Sequence, residues 1–171
     1  MTSSTDSGYP RIGVGVIILR DKKVLLGLRK GPRSPRYYGL PGGFLENNET
    51  FEDCAKREVL EETGLKELVL QPIYLIQGSS DDINYVDIIF YAIYKYGEPT
   101  VRETDRVEKW EWFNVFDLPV LIYNPTKLAL RHFASNYHYN KINLFFQKWL
   151  LGKRVAILDI DSMNTEERIS K

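Results

Sequence analysis

The stretch from Gly43 to Leu65, GFLENNETFEDCAKREVLEETGL, constrains this chain more than any other. Its second half is spaced as a helix, and Glu58, Glu61 and Glu62 fall within two turns of it. On a helical wheel advancing about 100° per residue, Phe51, Cys54, Ala55 and Val59 share one half. Glu58, Glu61 and Glu62 fall in that same half, while Lys56, Arg57 and Leu60 fall in the other. A solvated helix would set its acids opposite its apolar residues. Here the half that should face the core begins apolar and ends in carboxylates. Desolvated carboxylates are costly unless paired. A hard divalent cation, Mg²⁺ or Mn²⁺, is the economical partner because it takes oxygen ligands. The competing reading is an acid-rich solvated surface.

The helix has signals at both ends. Thr50 followed three residues later by Asp53 resembles a capping box, with Asp where Glu or Gln is usual. Gly64 suits the left-handed position past a helix C-terminus, so the spacing predicts a helix over 50–63. Upstream, Pro41-Gly42-Gly43 lets backbone approach a ligand closely. Arg29, Lys30, Arg33 and Arg36 lie a few residues before it. A metal site beside glycines and several cations suits a polyphosphate.

The remaining pattern is α/β. RIGVGVIIL (11–19) reads as a strand buried on both faces, and VLLGLR (24–29) returns from a turn as its hairpin partner. KGPRSPRYYGLPGG reads as a long loop. Segments 67–77, 84–96 and 109–115 read as strands, with SSDD as a loop between the first two. A helix starts at about Pro125, with His132 on it and His138 on the loop after it, both structural rather than catalytic. NKINLFFQKWLL (140–151) reads as a further amphipathic helix and RVAILDI (154–160) as a last strand. The order argues for a mixed sheet with helices packed on it. One domain is expected over 10–136, with a flexible lead at 1–9 and a C-terminal extension over 137–171 that packs on the domain or in a dimer contact and ends in a mobile tail.

With 23 basic and 23 acidic residues, bulk attraction to nucleic acid is not expected. No apolar run is long enough to span a bilayer, and no apolar signal core follows the start, so a cytoplasmic protein is expected. The single cysteine, Cys54, excludes an internal disulfide framework.

The helix and its approach resemble the signature of the Nudix hydrolases. Gly43, Glu49, Arg57, Glu58, Val59, Glu61, Glu62, Gly64 and Leu65 fill every fixed position of it. The resemblance runs from about Arg11 to Phe133 and is similar to the nucleoside triphosphate pyrophosphohydrolase subgroup. It implies an α/β/α sandwich around a mixed sheet, here with a C-terminal helical extension. It implies hydrolysis of a nucleoside diphosphate linked to another group X, assisted by Mg²⁺ or Mn²⁺. Carried over by position, Gly43 (through its carbonyl), Glu58, Glu61 and Glu62 are metal ligands, with Glu58 also a candidate base. Arg57 and Glu49 orient them. Glu103 is the first candidate for a downstream metal ligand, followed by Glu108 and Asp105. Arg29, Arg33 and Arg36 are candidate phosphate contacts, and Tyr38, Phe44 and Tyr85 are candidates to stack on a base.

Two departures bear on base selection. Tyr38 stands where many subgroup members have Trp, and Asn84-Tyr85-Val86 stands where they have His-Tyr-Val. The leading expectation is hydrolysis of a nucleoside triphosphate, with a normal or damaged base, to a monophosphate and pyrophosphate. A nucleotide sugar, a dinucleoside polyphosphate or a capped RNA are the alternatives within the enzyme class. A non-catalytic nucleotide-binding regulator is the alternative outside it. A homodimer is an open possibility.

Overall fold

The computed structural model describes residues 9–30, 36–80, 83–139 and 156–159. Seven strands and two helices follow the order β1 (Arg11–Arg20), β2 (Lys23–Arg29), β3 (Tyr38–Gly39), α1 (Phe51–Thr63), β4 (Gln71–Ser80), β5 (Ile83–Ile93), β6 (Val107–Asn114), α2 (Asn124–Tyr139) and β7 (Ala156–Asp159). They form one mixed sheet in the order β3-β2-β1-β5-β4-β7, with β6 paired to β2. β1 runs parallel to β5, and β4 runs antiparallel to β5 and parallel to β7.

Alternation along the central strands builds two cores. Val16 and Ile18 of β1 and Leu25 of β2 point to one face, where Cys54, Ala55 and Val59 of α1 cover them. Ile17 and Leu19 of β1 and Val24 and Leu26 of β2 point to the other, where Leu128, Ala129, Leu130 and Phe133 of α2 pack. β1 is therefore buried on both faces, as its unbroken β-branched run predicts. The layers are helix, sheet, helix. No helix among the described residues is long and apolar enough to cross a membrane.

The hairpin of β1 and β2 is closed at its turn alone. The strands pair at Leu19↔Val24 and Arg20↔Lys23 and then part, β2 turning to β3 and β6. The freed edge of β1 is taken by the Pro-Gly-Gly loop. Val14 N donates to Gly43 O at 2.8 Å, Val16 N to Pro41 O at 2.9 Å, and Leu45 N to Ile12 O at 3.0 Å. This split between neighbouring strands holds the glycines beside α1.

Several boundaries differ from the sequence reading. β4 starts at Gln71, not at Glu67. Glu67 has φ 57°, and Leu65, Leu68 and Leu70 are buried against the α1 core without joining the sheet. β4 and β5 then extend to Ser80↔Ile83, so Ser79 and Ser80 are strand rather than loop. The long loop contains the two-residue β3. His138 lies inside α2, which runs to Tyr139. Phe51 is 42% exposed at the helix start, not in the core. The expected helix over 140–151, all of the expected lead over 1–9 except residue 9, and the expected tail over 161–171 lie outside the described residues.

Candidate active site

α1 is fixed at both ends by the residues that signalled it. Thr50 Oγ1 accepts from Asp53 N at 3.1 Å, and its hydroxyl donates to Asp53 Oδ2 at 2.6 Å. Gly64 has φ 75° and donates its N–H to Leu60 O. Between these caps the acids separate by depth. Glu58 and Glu62 are buried, at 8% and 9% exposure, and Glu61 stays at the rim.

Arg57 organises the outer side. Its Nε donates to Glu49 Oε1 at 2.8 Å and its Nη2 to Glu49 Oε2 at 3.0 Å, a two-pronged pair. Its Nη1 donates to Glu58 Oε1 at 2.7 Å and to Glu61 Oε2 at 3.2 Å. The same guanidinium reaches the Phe44 carbonyl at 3.2 Å, tying the glycine loop to the helix. Arg57 holds the Glu49 carboxyl well down, to about 2. Glu58 goes the other way: burial raises it, against the pull of Arg57.

Among the described residues no cation pairs with Glu62 in this way, although the Arg29 charge acts to lower its carboxyl. It accepts one hydrogen bond, from Gly42 N at 3.0 Å. Burial, and then the neighbouring Glu58 and Glu103 charges, push its carboxyl up to about 8. Glu103 approaches from the loop before β6. Its Oε2 is buried with no hydrogen bond, although Arg106 Nη1 stands 3.4 Å away as an ion-pair partner without hydrogen-bond geometry.

These carboxylates border a cavity of about 810 Å³. Its lining includes Gly43, Phe44, Arg57, Glu58, Glu61, Glu62, Tyr85 and Glu103 together with Arg29. Asp105 also lines it, whereas Glu108 points to solvent elsewhere. Arg29 lies with its guanidinium carbon 5.2 Å from the Tyr123 ring centre. Arg36 is exposed and outside the lining, and Arg33 lies outside the described residues. Tyr38 also stands apart from the lining. Its position in β3 turns its hydroxyl to Glu111 Oε2 at 2.5 Å and its ring edge-on to Phe113.

Arg11, Asp87, Arg106 and Trp110 are among the lining residues that escaped the sequence reading. Asp87 carried a usable signal, an acid inside the apolar strand run NYVDIIF. Trp110 lies over Gly27, where an added Cβ would come 2.8 Å from its ring, and its indole N–H donates to Glu62 O at 3.1 Å. It braces the helix end that carries the acids.

The donor set fits a divalent cation. The Glu58 carboxylate lies so close over Gly43 that a Cβ there would overlap it. Glu103 presents a buried oxygen without a hydrogen bond, and the buried Glu62 carboxylate accepts one from Gly42 N. All are hard oxygen donors beside the Gly43 carbonyl. Among the described residues no three acidic, histidine or cysteine side chains already converge to hold a metal ion, and Arg57 pairs with both Glu58 and Glu61.

A pH dependence follows. A carboxyl raised from 4.5 to about 8 favours the folded state most below pH about 4.5, and that contribution is lost as pH climbs through about 8. Metal binding needs the ionised form. The expected result is that the Mg²⁺ concentration for half-activation falls by up to about tenfold per pH unit between pH 6 and 8, then levels. Activation curves at fixed pH steps check this, and a flat profile would refute it.

Buried carboxylates, a glycine loop and cationic side chains thus line one cavity. Residues 9–135 match the NUDIX domain model. The chain is 33% identical over 122 residues to an ADP-ribose pyrophosphatase of Methanocaldococcus jannaschii, covering 70% of this chain and 71% of that one. It is 38% identical over 119 residues to the NAD-capped RNA hydrolase NudC of Pseudomonas fluorescens, covering 66% of this chain and 40% of that protein's length. The crystal structure of a MutT NUDIX hydrolase from Burkholderia pseudomallei superposes with TM-score 0.66 at 34% identity, over 72% of this chain and 97% of that one. The chain belongs to the Nudix hydrolase family and is a pyrophosphohydrolase. That family is typically dependent on divalent metal.

Proposed function

We propose that this chain hydrolyses a nucleoside diphosphate linked to a group X, and that its leading substrates are nucleoside triphosphates, cleaved to monophosphate and pyrophosphate. The observation that carries the reading is the pairing of buried Glu58 and Glu62 with a rim of Arg29, Lys30 and Arg106 on one cavity. Acids hold charge at the scissile linkage, and the rim offers cations to the phosphates beyond it.

Phosphoanhydrides resist water because their anionic oxygens repel a nucleophile. Mg²⁺, or Mn²⁺ in its place, would be held by Gly43 O, Glu58, Glu61 and Glu62 with Glu103 as a further ligand, and it supplies charge neutralisation and a more acidic water. Glu58 is the candidate base for the proton of the attacking water. Arg57 positions Glu58 and Glu61, and Glu49 fixes Arg57. Arg29 contacts phosphate. Phe44 and Tyr85 flank the nucleoside.

A second reading keeps the chemistry and changes X. The similarity to an ADP-ribose pyrophosphatase and to an NAD-capped RNA hydrolase favours an adenosine diphosphate joined to a ribosyl group.

The test is a substrate panel with Mg²⁺: the common triphosphates, ADP-ribose, dinucleoside polyphosphates and NAD-capped RNA. Products are identified by mass and by ¹⁸O incorporation. Excess chelator is expected to abolish turnover and added Mg²⁺ to restore it. Full activity under chelator, or no cleavage of any member, would overturn the reading.

A further inference from the structure

We propose that Asp87 reads the sugar of the substrate, its carboxylate accepting hydrogen bonds from the 2′- and 3′-hydroxyls of a ribose. This rests on the reading of the substrate as a nucleoside diphosphate derivative.

Asp87 sits in the middle of β5, directly across from Gly13 of β1. It lines the cavity next to Tyr85 and Phe44. Gly13 has no side chain, and the Asp87 carboxylate takes the space that one would fill. The point where a Cβ on Gly13 would sit lies 2.5 Å from Asp87 Oδ1, 3.1 Å from the Gly43 carbonyl oxygen and 3.6 Å from the Phe44 ring edge. The carboxylate therefore packs over Gly13, on the same cavity wall as Gly43 and Phe44.

No described residue donates to it. Arg11, the nearest candidate by sequence register, lays its guanidinium carbon 3.6 Å over the Phe44 ring instead. The one cause acting on the Asp87 carboxyl is burial, which pushes it up to about 6 with no cation or donor opposing. A half-buried acid with no donor among the described residues can take one from a ligand.

The donor's chemistry is limited by position. A phosphate there would be repelled. A phosphate beside a metal held by Gly43 O and Glu58 would be linked through its ester oxygen to the 5′ carbon of the sugar, so the sugar comes before the base along the cavity. A vicinal diol offers two O–H donors to the two oxygens of one carboxylate. Acidic side chains serve ribose hydroxyls in this way in dinucleotide-binding folds.

The test compares the ribo, 2′-deoxy and 2′,3′-dideoxy forms of the best nucleotide in the substrate panel, with wild type, Asp87→Asn and Asp87→Ala. Wild type is expected to prefer the ribo over the dideoxy form by about 10- to 100-fold in kcat/KM. Asp87→Ala is expected to lose that factor on the ribo form and to leave the dideoxy form unchanged, with Asp87→Asn intermediate. Thermal melts verify that both variants fold. Three results would overturn the inference: no preference in wild type, a preference kept by Asp87→Ala, or an equal loss on all three forms. The last would make Asp87 a support of the metal or the fold. In each of these cases turnover by wild type leaves the proposed function standing. If wild type cleaves no nucleotide at all, that reading falls and this inference falls with it.

Discussion

Glu62→Gln is expected to lower kcat by about 10²-fold or more and, in chelator at pH 9, to raise thermal stability. Both effects come from the same burial. Glu62 is 9% exposed, and its carboxylate receives one backbone N–H, from Gly42. With its carboxyl pushed up to about 8, the metal-free protein at pH 9 carries an ionised group that its surroundings disfavour. Gln keeps the acceptor for Gly42 and removes the charge. At pH 5 the wild-type group is already protonated, so the gain there should vanish. Glu61→Gln should lose rate without this gain, because its side chain is half exposed at the rim and paired with Arg57. Steady-state turnover with Mg²⁺ and melts at pH 5 and 9 decide the matter. Near-normal turnover in Glu62→Gln would place the metal elsewhere. A gain of equal size at both pH values would break the link to ionisation.

The sequence exposed α1 because everything that builds it is local. Thr50, Gly64 and the wheel positions act within a few residues, and the signature spacing lies inside one helix and its approach. The wheel put three acids on the core-facing half, but it could not rank them. Depth depends on what packs opposite, and here the glycine loop covers Glu58 and Glu62 while leaving Glu61 open. Tyr38 shows the limit more sharply. A ring three residues before the Pro-Gly-Gly turn reads as a site residue, yet pairing of β3 with β2 turns it toward Glu111 and Phe113. The strand-borne residues were harder still. Alternation tells that Tyr85, Asp87 and Ile89 share a face, but not that Gly13 and Gly43 lie across from them. That juxtaposition needs β1 to pair in parallel with β5 and to part from β2, which are long-range events no window of sequence contains.

The two glycines of the loop should fail in different ways when each is changed to alanine. At Gly42 the backbone has φ 150°, and an added Cβ would overlap the Val14 carbonyl oxygen and press on Gly15 Cα at 3.0 Å. Both obstacles are backbone of a central strand, and neither can turn aside. Gly42→Ala therefore carries backbone strain and a clash together, a loss of about 3 kcal/mol or more. For a chain of this size that is a fall in Tm of roughly 6–12 °C. At Gly43 the obstacle is the Glu58 carboxylate, the far end of a flexible side chain. Gly43→Ala should fold, and Glu58 should swing away from the Gly43 carbonyl. Removing a proposed metal ligand and candidate base from its place is expected to cost about 10²-fold or more in kcat. The freed carboxylate would also alter its bond to Arg57 Nη1, while the Glu49–Arg57 pair stays. Melts, circular dichroism and turnover of the two variants side by side make the comparison. A Gly43→Ala enzyme with wild-type kcat would show that Glu58 need not lie against Gly43 for the chemistry, and the assignment of its role would fall.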